Sequence, residues 1–188
     1  MKNLQYGDSG AAILDAVYFS EKLLEKVPME RQRVLLLISE TRDHGSVWAR
    51  KMNDVVTMVG TSNTTIYTLP FSPSLSNVLD TMRGNNIEEM NEGPDLIATL
   101  KMAVQALKKN APKTIASMTG GEHELFDTRS SFENCMLDFT NHLHSRYLLS
   151  FEPKDPHAGL HRIRVGLRNP GEVTVLARSR YWATTASQ

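Results

Sequence analysis

Residues 34–38 read Val-Leu-Leu-Leu-Ile, five consecutive apolar residues of which most are branched. Polar residues precede this run at 30–33 and follow it from Ser39. An apolar run of this length between polar turns is typical of a strand buried on both faces, as in a parallel sheet. The run therefore predicts an α/β fold.

A helix is predicted before this strand. Apolar residues recur at helical spacing from Ile13 to Val27, Asp8 or Ser9 can cap the helix, and Pro28 ends it. The N-terminal part of the chain thus supplies a helix that can cover the sheet.

A second helix and a second strand follow. Ser46 can cap the helix and Gly60 can end it. Residues 64–69 then form a strand that Pro70 closes. Strand, helix and strand at this spacing predict a right-handed βαβ unit.

The next part of the chain is predicted to complete the same domain. Residues 71–93 have weak periodicity and are predicted to be an insertion loop. A third helix is predicted from Pro94 to about Lys108, and Gly120-Gly121 is expected to end a short helical turn. A short strand is predicted at 124–126, and Ser130 and Glu133 form a capping box for a last helix.

The C-terminal part has a different pattern. Three strands are predicted, at 147–151, 160–168 and 173–178, and apolar residues alternate with polar ones in the second. This alternation favours an antiparallel arrangement with one buried face. We therefore predict a Rossmann-like, mostly parallel sheet flanked by helices over residues 1–146, with a C-terminal antiparallel extension at 147–188 packed on the same domain.

Charge and hydropathy exclude several classes of protein. The chain has 188 residues with 21 Lys and Arg against 21 Asp and Glu, so no global field attracts nucleic acid or an anionic membrane. The basic residues between His161 and Arg180 are interpreted as a solvated sheet face. No stretch approaches the ~20 apolar residues of a membrane-spanning helix, and residues 1–10 lack the pattern of a signal peptide. We expect neither nucleic-acid binding nor membrane insertion, and the compartment stays open.

No catalytic motif is complete, which predicts that the chain is not an enzyme. Residues 7–10 resemble the nucleophile segment of trypsin-type proteases, but those enzymes place their histidine and aspartate upstream of the serine. Cys135, the one cysteine, falls on the apolar side of a predicted helix. His142 and His144 are two positions apart on that helix, so they point to different faces and cannot share a metal ion.

The candidate binding site is at the carboxyl edge of the predicted sheet, where ligands bind in open α/β sheets. The loop that leaves the first strand is polar, and the beginning of the first helix is expected to project to the same edge. A solvated connecting loop is the alternative. The candidate partner-binding residues are Asp8, Ser9, Glu40, Arg42, Asp43, His44 and Ser46.

In their order and spacing, several segments resemble the later part of a von Willebrand factor A-type domain, in the variant common in acidobacterial proteins. Residues 9–16 (SGAAILDA) resemble that family's GGTALYDA segment, and 33–40 (RVLLLISE) resemble its ALVLLTDGED strand and loop. Residues 65–69 are similar to its next strand, and 116–121 (ASMTGG) to its LTGG turn. The closing strands QYLLGY and RARRGYYA have their counterparts in RYLLSF at 146–151 and ARSRYWA at 177–183.

The resemblance implies a divalent-cation site made of an Asp-x-Ser-x-Ser loop, a threonine before a helix and an aspartate after a later strand. The loop motif is missing here, Ala11 stands at the threonine position and Glu40 at the aspartate position. Ser9 lies two residues from a matching position. We therefore expect no cofactor and no bound Mg²⁺ or other divalent cation; if a cation bound, Ser9 and Glu40 would be its ligands.

These expectations predict a non-enzymatic protein-interaction or adhesion-like module without a complete metal-ion-dependent adhesion site. The resemblance further implies a sheet truncated at its N-terminal side, with an exposed edge that a protein partner or a second copy of the chain can pair with. The alternative is a metal-dependent adhesion module whose ligands are completed by residues missing from this chain. Members of the family are usually exported, whereas this sequence begins without a signal peptide.

Overall fold

The structure, a computed structural model, describes residues 11–28, 30–44, 52–72, 96–154, 157–169 and 173–184. Within these ranges the chain forms five helices and four strands, which confirms the predicted mixed α/β class. The helices are α1 (Ile13–Leu24), α2 (Met52–Thr61), α3 (Leu96–Lys109), α4 (Ala111–Thr119) and α5 (Arg129–His144). The strands are β1 (Arg33–Ser39), β2 (Thr64–Pro70), β3 (Gly159–Arg162) and β4 (Arg180–Ala183).

Strands β1 and β2 form a parallel pair with α2 between them in sequence, as the βαβ prediction requires. Their register runs from Arg33 opposite Thr64 to Ser39 opposite Pro70. The sheet that they form has two strands, so it is smaller than the predicted sheet.

The predicted strand at 124–126 is present only as isolated parallel bridges beside β2, which pair Thr68 with His123 and Phe71 with Phe126. Nearer the beginning of β2, the Thr119 hydroxyl supplies a hydrogen-bond acceptor that a neighbouring strand would otherwise provide. It accepts a hydrogen bond from the backbone N–H of Ile66 at 3.0 Å. A continuous third ladder therefore does not form at this position.

The core lies between the helices and one face of the parallel pair. Each of α1, α2, α3 and α4 contributes residues at helical spacing, and β2 and β3 add one residue each. The buried members are Ile13, Leu14, Val17, Val55, Val56, Val59, Ile66, Ala103, Leu107, Ala111, Ile115, Met118 and Leu160. Burying side chains of this size contributes roughly 1.5–3 kcal/mol each, so this face holds the helices to the sheet.

Strand β1 is not buried on both faces, and that expectation was wrong. None of its seven residues is fully buried, and 52% of Ile38 is exposed, whereas six of the seven residues of β2 are buried. The reason is the position of α5, whose Phe139 packs edge-to-face on Tyr67 of β2 with ring centroids 4.8 Å apart. Helix α5 therefore covers β2 rather than β1.

The beginning of α1 and the end of α2 differ from the predicted positions. Helix α1 begins at Ile13, and Ala12 before it makes no side-chain cap. The predicted caps Asp8 and Ser9 lie outside the described residues. The same holds for Ser46, Pro94 and most of the predicted 71–93 loop. Gly60 does not end α2 but is its penultimate residue, and its lack of a side chain lets Trp182 pack closely, since an added Cβ atom would lie 3.2 Å from the Cβ of Trp182. Gly120, by contrast, ends α4 in the left-handed conformation with φ of 76°, as expected.

The capping box of α5 lies two residues before the predicted one. Thr128 is the N-cap and accepts from the backbone N–H of Ser131, whose side chain accepts from Thr128 in return. Glu133 instead forms an exposed ion pair with Arg129, 2.8 Å away. The reciprocal bonds of the capping box are therefore made by Thr128 and Ser131, and not by Ser130 and Glu133.

The C-terminal strands form an antiparallel pair, as predicted, but a short one. Gly159–Arg162 pairs with Arg180–Ala183. Residues 147–151 and 173–178 are not strands, and the regular strand predicted over 160–168 ends at Arg162. Trp182 packs against the core, so this pair lies on the helices of the α/β part.

Candidate functional site

The loop after β1 and the beginning of α1 meet at the carboxyl end of β1. The Asp43 carboxylate accepts a hydrogen bond from the backbone N–H of Leu14 at 3.0 Å. The backbone N–H of His44 donates to the carbonyl of Ala11 at 2.8 Å. Of the candidate residues, the structure therefore brings Asp43 and His44 to the helix; Asp8, Ser9 and Ser46 lie outside the described residues.

The remaining loop side chains are directed to solvent. Glu40 and His44 lie 3.8 Å apart between Oε2 and Nε2, and more than half of each side chain is exposed. Arg42 is exposed as well, whereas Asp43 is half-buried. The loop thus offers Glu40, Arg42 and His44 for contact, while Asp43 holds the helix.

The described residues at this position supply few oxygen donors for a divalent cation. Among them, Ala11 has no side-chain oxygen, the Asp43 carboxylate is bonded to the helix, and Glu40 is the one acid that faces solvent. A hard cation takes six or more oxygen ligands, several of them from protein in a dedicated site. Among the described residues, no three His, Cys, Asp or Glu side chains group closely enough to hold a metal ion.

The backbone of β1 has one edge directed away from β2. The carbonyl of Ser39 accepts from the N–H of Phe71 at 2.8 Å, so the backbone groups of Ser39 point towards β2. Because these directions alternate along a strand, the N–H and C=O groups of Val34, Leu36 and Ile38 point to the opposite edge. Within the ranges that the structure describes, no strand pairs with that edge.

The side chains of the same three residues form an apolar surface. Leu35 and Leu37 pack against the core, so by alternation Val34, Leu36 and Ile38 lie on the other face of the sheet. Val34 and Leu36 are half-buried and Ile38 is exposed. We call the open backbone edge and these three side chains the β1 edge.

A polar cluster beside β2 was not anticipated from the sequence. Glu122 is hydrogen-bonded to Nδ1 of His142. Arg146 lies 5.1 Å from the ring centroid of Tyr67, and its guanidinium donates to the hydroxyl of Thr65 at 2.8 Å. The sequence signal for these contacts is absent because the partners are separated by 20 and 81 positions.

The nucleophile candidate in this region is deactivated by its surroundings. Cys135 is buried, as its place on the helix predicted, and burial with a hydrogen bond to Glu124 raises the pKa of its thiol to about 11. Since the thiolate is the reactive form, a thiol with this pKa is a poor nucleophile at neutral pH. The neighbouring His123 bonds Thr68 through Nδ1 at 2.8 Å.

A second unanticipated feature joins the C-terminal part to the α/β part. The guanidinium of Arg178 donates to the carbonyls of Val59, Ser62 and Thr64 at 3.2, 2.8 and 3.2 Å. It therefore joins the last turn of α2, the residue that follows it and the beginning of β2, and it satisfies carbonyls that helix ends leave without an intrahelical partner. Glu21, buried in α1, lies near enough to interact electrostatically with Arg178.

Comparisons with models of known protein families and with curated proteins found no match. None of the helices within the described ranges combines the length and the hydropathy that spanning a bilayer requires.

Proposed function

We propose that this chain is a non-enzymatic protein-interaction module of the von Willebrand factor A type that associates through the β1 edge. The observation that carries the proposal is that the more apolar of the two paired strands is the less buried one. Strand β2 is buried almost throughout, whereas β1 is only half-buried and has an unpaired edge in the described structure. Open apolar edges pair with another strand, which makes β1 the best-supported contact surface.

The partner that we propose is a second copy of this chain, with the two β1 strands antiparallel and centred on Leu36. In this register Leu36 faces its own counterpart, and Val34 faces Ile38. All three residues direct their backbone N–H and C=O groups to the open edge. In this register these groups therefore face the N–H and C=O groups of the same three residues in the other copy. The pairing would join two parallel pairs into one four-stranded sheet.

Charge supports the same register. Glu30 and Arg42 lie three positions beyond the two ends of β1, in the turns that flank the strand, so the centred antiparallel pairing brings the turn that carries Arg42 in one copy beside the turn that carries Glu30 in the other. Both residues are exposed, so they are accessible to such a contact. Opposite charges directly across an antiparallel pair are stabilising, and like charges there are destabilising.

Sedimentation velocity over a range of concentrations tests the association. We expect the wild-type chain to dimerise and the Ile38→Lys variant to remain monomeric, since a lysine on an edge strand blocks pairing. Leu137→Lys is the matched control, because Leu137 is 63% exposed on α5, away from β1. A monomeric wild type at the highest soluble concentration, or an Ile38→Lys variant that dimerises as well as the wild type, would overturn the proposal.

A charge reversal tests the register itself. Arg42→Glu is expected to weaken the dimer because two acidic side chains then face each other, and Glu30→Arg combined with Arg42→Glu is expected to restore it. If the double variant were as weak as Arg42→Glu alone, the centred register would be wrong.

Calorimetry with Mg²⁺, Mn²⁺ and Ca²⁺ separates this proposal from a metal-dependent adhesion module. We expect no heat of binding from the wild-type chain. Heat that disappears in a Glu40→Gln variant would favour the metal-dependent module instead.

A further inference from the structure

A cleft of about 540 Å³ lies between helices α3 and α4 and the C-terminal strands. One wall consists of residues from the two helices, among them Ala103 and Met118. The opposite wall consists of residues 162–165 and 175–180, on either side of the β3–β4 pair. None of the described residues of the loop after β1 lines this cleft.

Four arginines line this cleft: Arg162, Arg164, Arg178 and Arg180. No acidic residue is among the described residues that line it. The sequence interpretation of these basic residues as a solvated sheet face is therefore incomplete, because the structure gathers four of them around one open cleft.

Two of the arginines are opposed in a way that is unfavourable without a counter-ion. Arg162 and Arg180 are direct cross-strand partners in the antiparallel pair. Like charges directly opposite each other destabilise such a pair. Burial lowers the pKa of Arg180, and the positive charge of Arg162 lowers it further.

Arg178 has a different role from the other three. Its guanidinium is bonded to the carbonyls of Val59, Ser62 and Thr64, so it contributes charge to the cleft but has few donors left for a ligand. In the described part of the chain, no carboxylate pairs with Arg162, Arg164 or Arg180. Three planar guanidinium groups therefore remain to donate into the cleft.

We infer that this cleft binds a small organic phosphate, with the phosphate held by Arg162, Arg164 and Arg180. Guanidinium groups match phosphate oxygens in bidentate geometry, and several of them together compensate a doubly charged group. The volume is in the range of sites for small organic molecules and exceeds what one phosphate fills. The apolar side chains of Val165 and Val175, which line the cleft and are accessible, give the organic part a surface.

Calorimetry at low ionic strength with inorganic pyrophosphate as the probe tests the site. We expect saturable binding at one site per chain, at least tenfold weaker in Arg162→Gln and weaker still in the Arg162→Gln, Arg180→Gln double variant. The control is the Arg31→Gln, Arg168→Gln double variant, which removes two exposed arginines that do not line the cleft. Its net charge equals that of the Arg162→Gln, Arg180→Gln double variant. Absence of saturable binding, or equal weakening in the control, would overturn the inference.

Two further measurements keep the result interpretable. Without ligand, Arg162→Gln is expected to unfold at the same temperature as the wild type or higher, because it relieves repulsion with Arg180. A lowered unfolding temperature would mean that Arg162 is a structural residue and would count against the inference. ADP is expected to bind more tightly than pyrophosphate, and equal or weaker binding of ADP would exclude an organic group beside Val165 and Val175.

Discussion

The Asp43 carboxylate accepts a hydrogen bond from the backbone N–H of Leu14, 3.0 Å from Oδ1 and 29 positions away in sequence. This contact ties the loop after β1 to the first turn of α1. Ala12, at the N-cap, makes no side-chain bond to the helix. The beginning of α1 is therefore capped from another segment, and the same loop carries the exposed Arg42 and His44 beside the β1 edge.

Replacing Asp43 is expected to destabilise the fold. Loss of a side-chain acceptor at a helix N-terminus costs about 1 kcal/mol, so Asp43→Ala should lower the free energy of unfolding by roughly that amount in urea denaturation. Asp43→Asn keeps an acceptor oxygen and should lose less. Arg42→Ala, one position away and exposed, is the control and should be close to neutral. Equal losses from Asp43→Ala and Arg42→Ala would show that the contact does not stabilise α1.

This contact also marks the limit of what the sequence could predict. The strands β1 and β2 and the helices around them follow from local periodicity, which depends on side chains a few positions apart. The cap of α1 depends on Asp43, and the pairing of Glu122 with His142 depends on residues 20 positions apart. No local pattern carries such contacts, so the sequence assigned the cap to Asp8 or Ser9 instead.

The exposure of β1 could not be predicted for a similar reason. A run of five apolar residues indicates burial, but it does not say which helices cover each face. The placement of α5 over Tyr67 of β2 leaves Leu36 and Ile38 uncovered by that helix. The arginine-lined cleft is likewise a product of the pairing of β3 with β4, which brings Arg162 and Arg180 together across 18 positions.

Glu21 should make the stability of the protein depend on pH. It is buried in α1 and accepts from the hydroxyl of Thr64 at 2.9 Å, and burial raises its pKa above the ordinary 4.5. A carboxyl whose pKa is higher in the folded than in the unfolded state stabilises the fold most when it is protonated. The contribution of Glu21 is therefore complete below pH 4.5 and is lost as pH rises through the raised pKa.

Urea unfolding of the wild type and of Glu21→Gln, at several pH values from 4 to 7, measures this contribution. The glutamine side chain cannot ionise. We therefore expect the free energy of unfolding of the variant to increase relative to that of the wild type as pH rises. Glu133→Gln, at an exposed position of α5, is the control and should show no such trend. A wild type that gains on Glu21→Gln with rising pH would contradict the stated direction of the pKa shift.

Gly121 should not tolerate a side chain. A Cβ atom at this position would lie 2.0 Å from the carbonyl oxygen of Ile66, a backbone atom of β2. Because the backbone has to move to relieve the overlap, Gly121→Ala is expected to cost about 1–3 kcal/mol or more in the free energy of unfolding. Gly166→Ala is the matched control, since no atom lies within 4 Å of the added carbon. Similar unfolding midpoints for the two variants would mean that Ile66 and Gly121 are farther apart than the structure places them.

His123 should make the fold sensitive to mild acid. Burial, with a smaller effect of the charge on Lys113, lowers the pKa of His123 from its ordinary 6.5 to about 4, and Nε2 has no hydrogen-bond partner in the described structure. A histidine that is kept neutral by the fold stabilises it fully above the unfolded pKa. That contribution is lost as pH falls from 6.5 towards 4, and a shift of this size corresponds to up to about 3 kcal/mol.

The loss can be assigned to this one residue by comparison with His123→Gln, which cannot take up a proton. Between pH 7 and pH 4 the wild type should lose up to about 3 kcal/mol more of its free energy of unfolding than the variant does, because acid effects at other groups are common to both. The ring-proton NMR signal of His123 should stay unchanged down to about pH 5, since the folded chain holds the neutral imidazole until then. Parallel pH profiles of the two proteins, together with a ring signal that titrates near 6.5, would show that His123 is open to water in the native state.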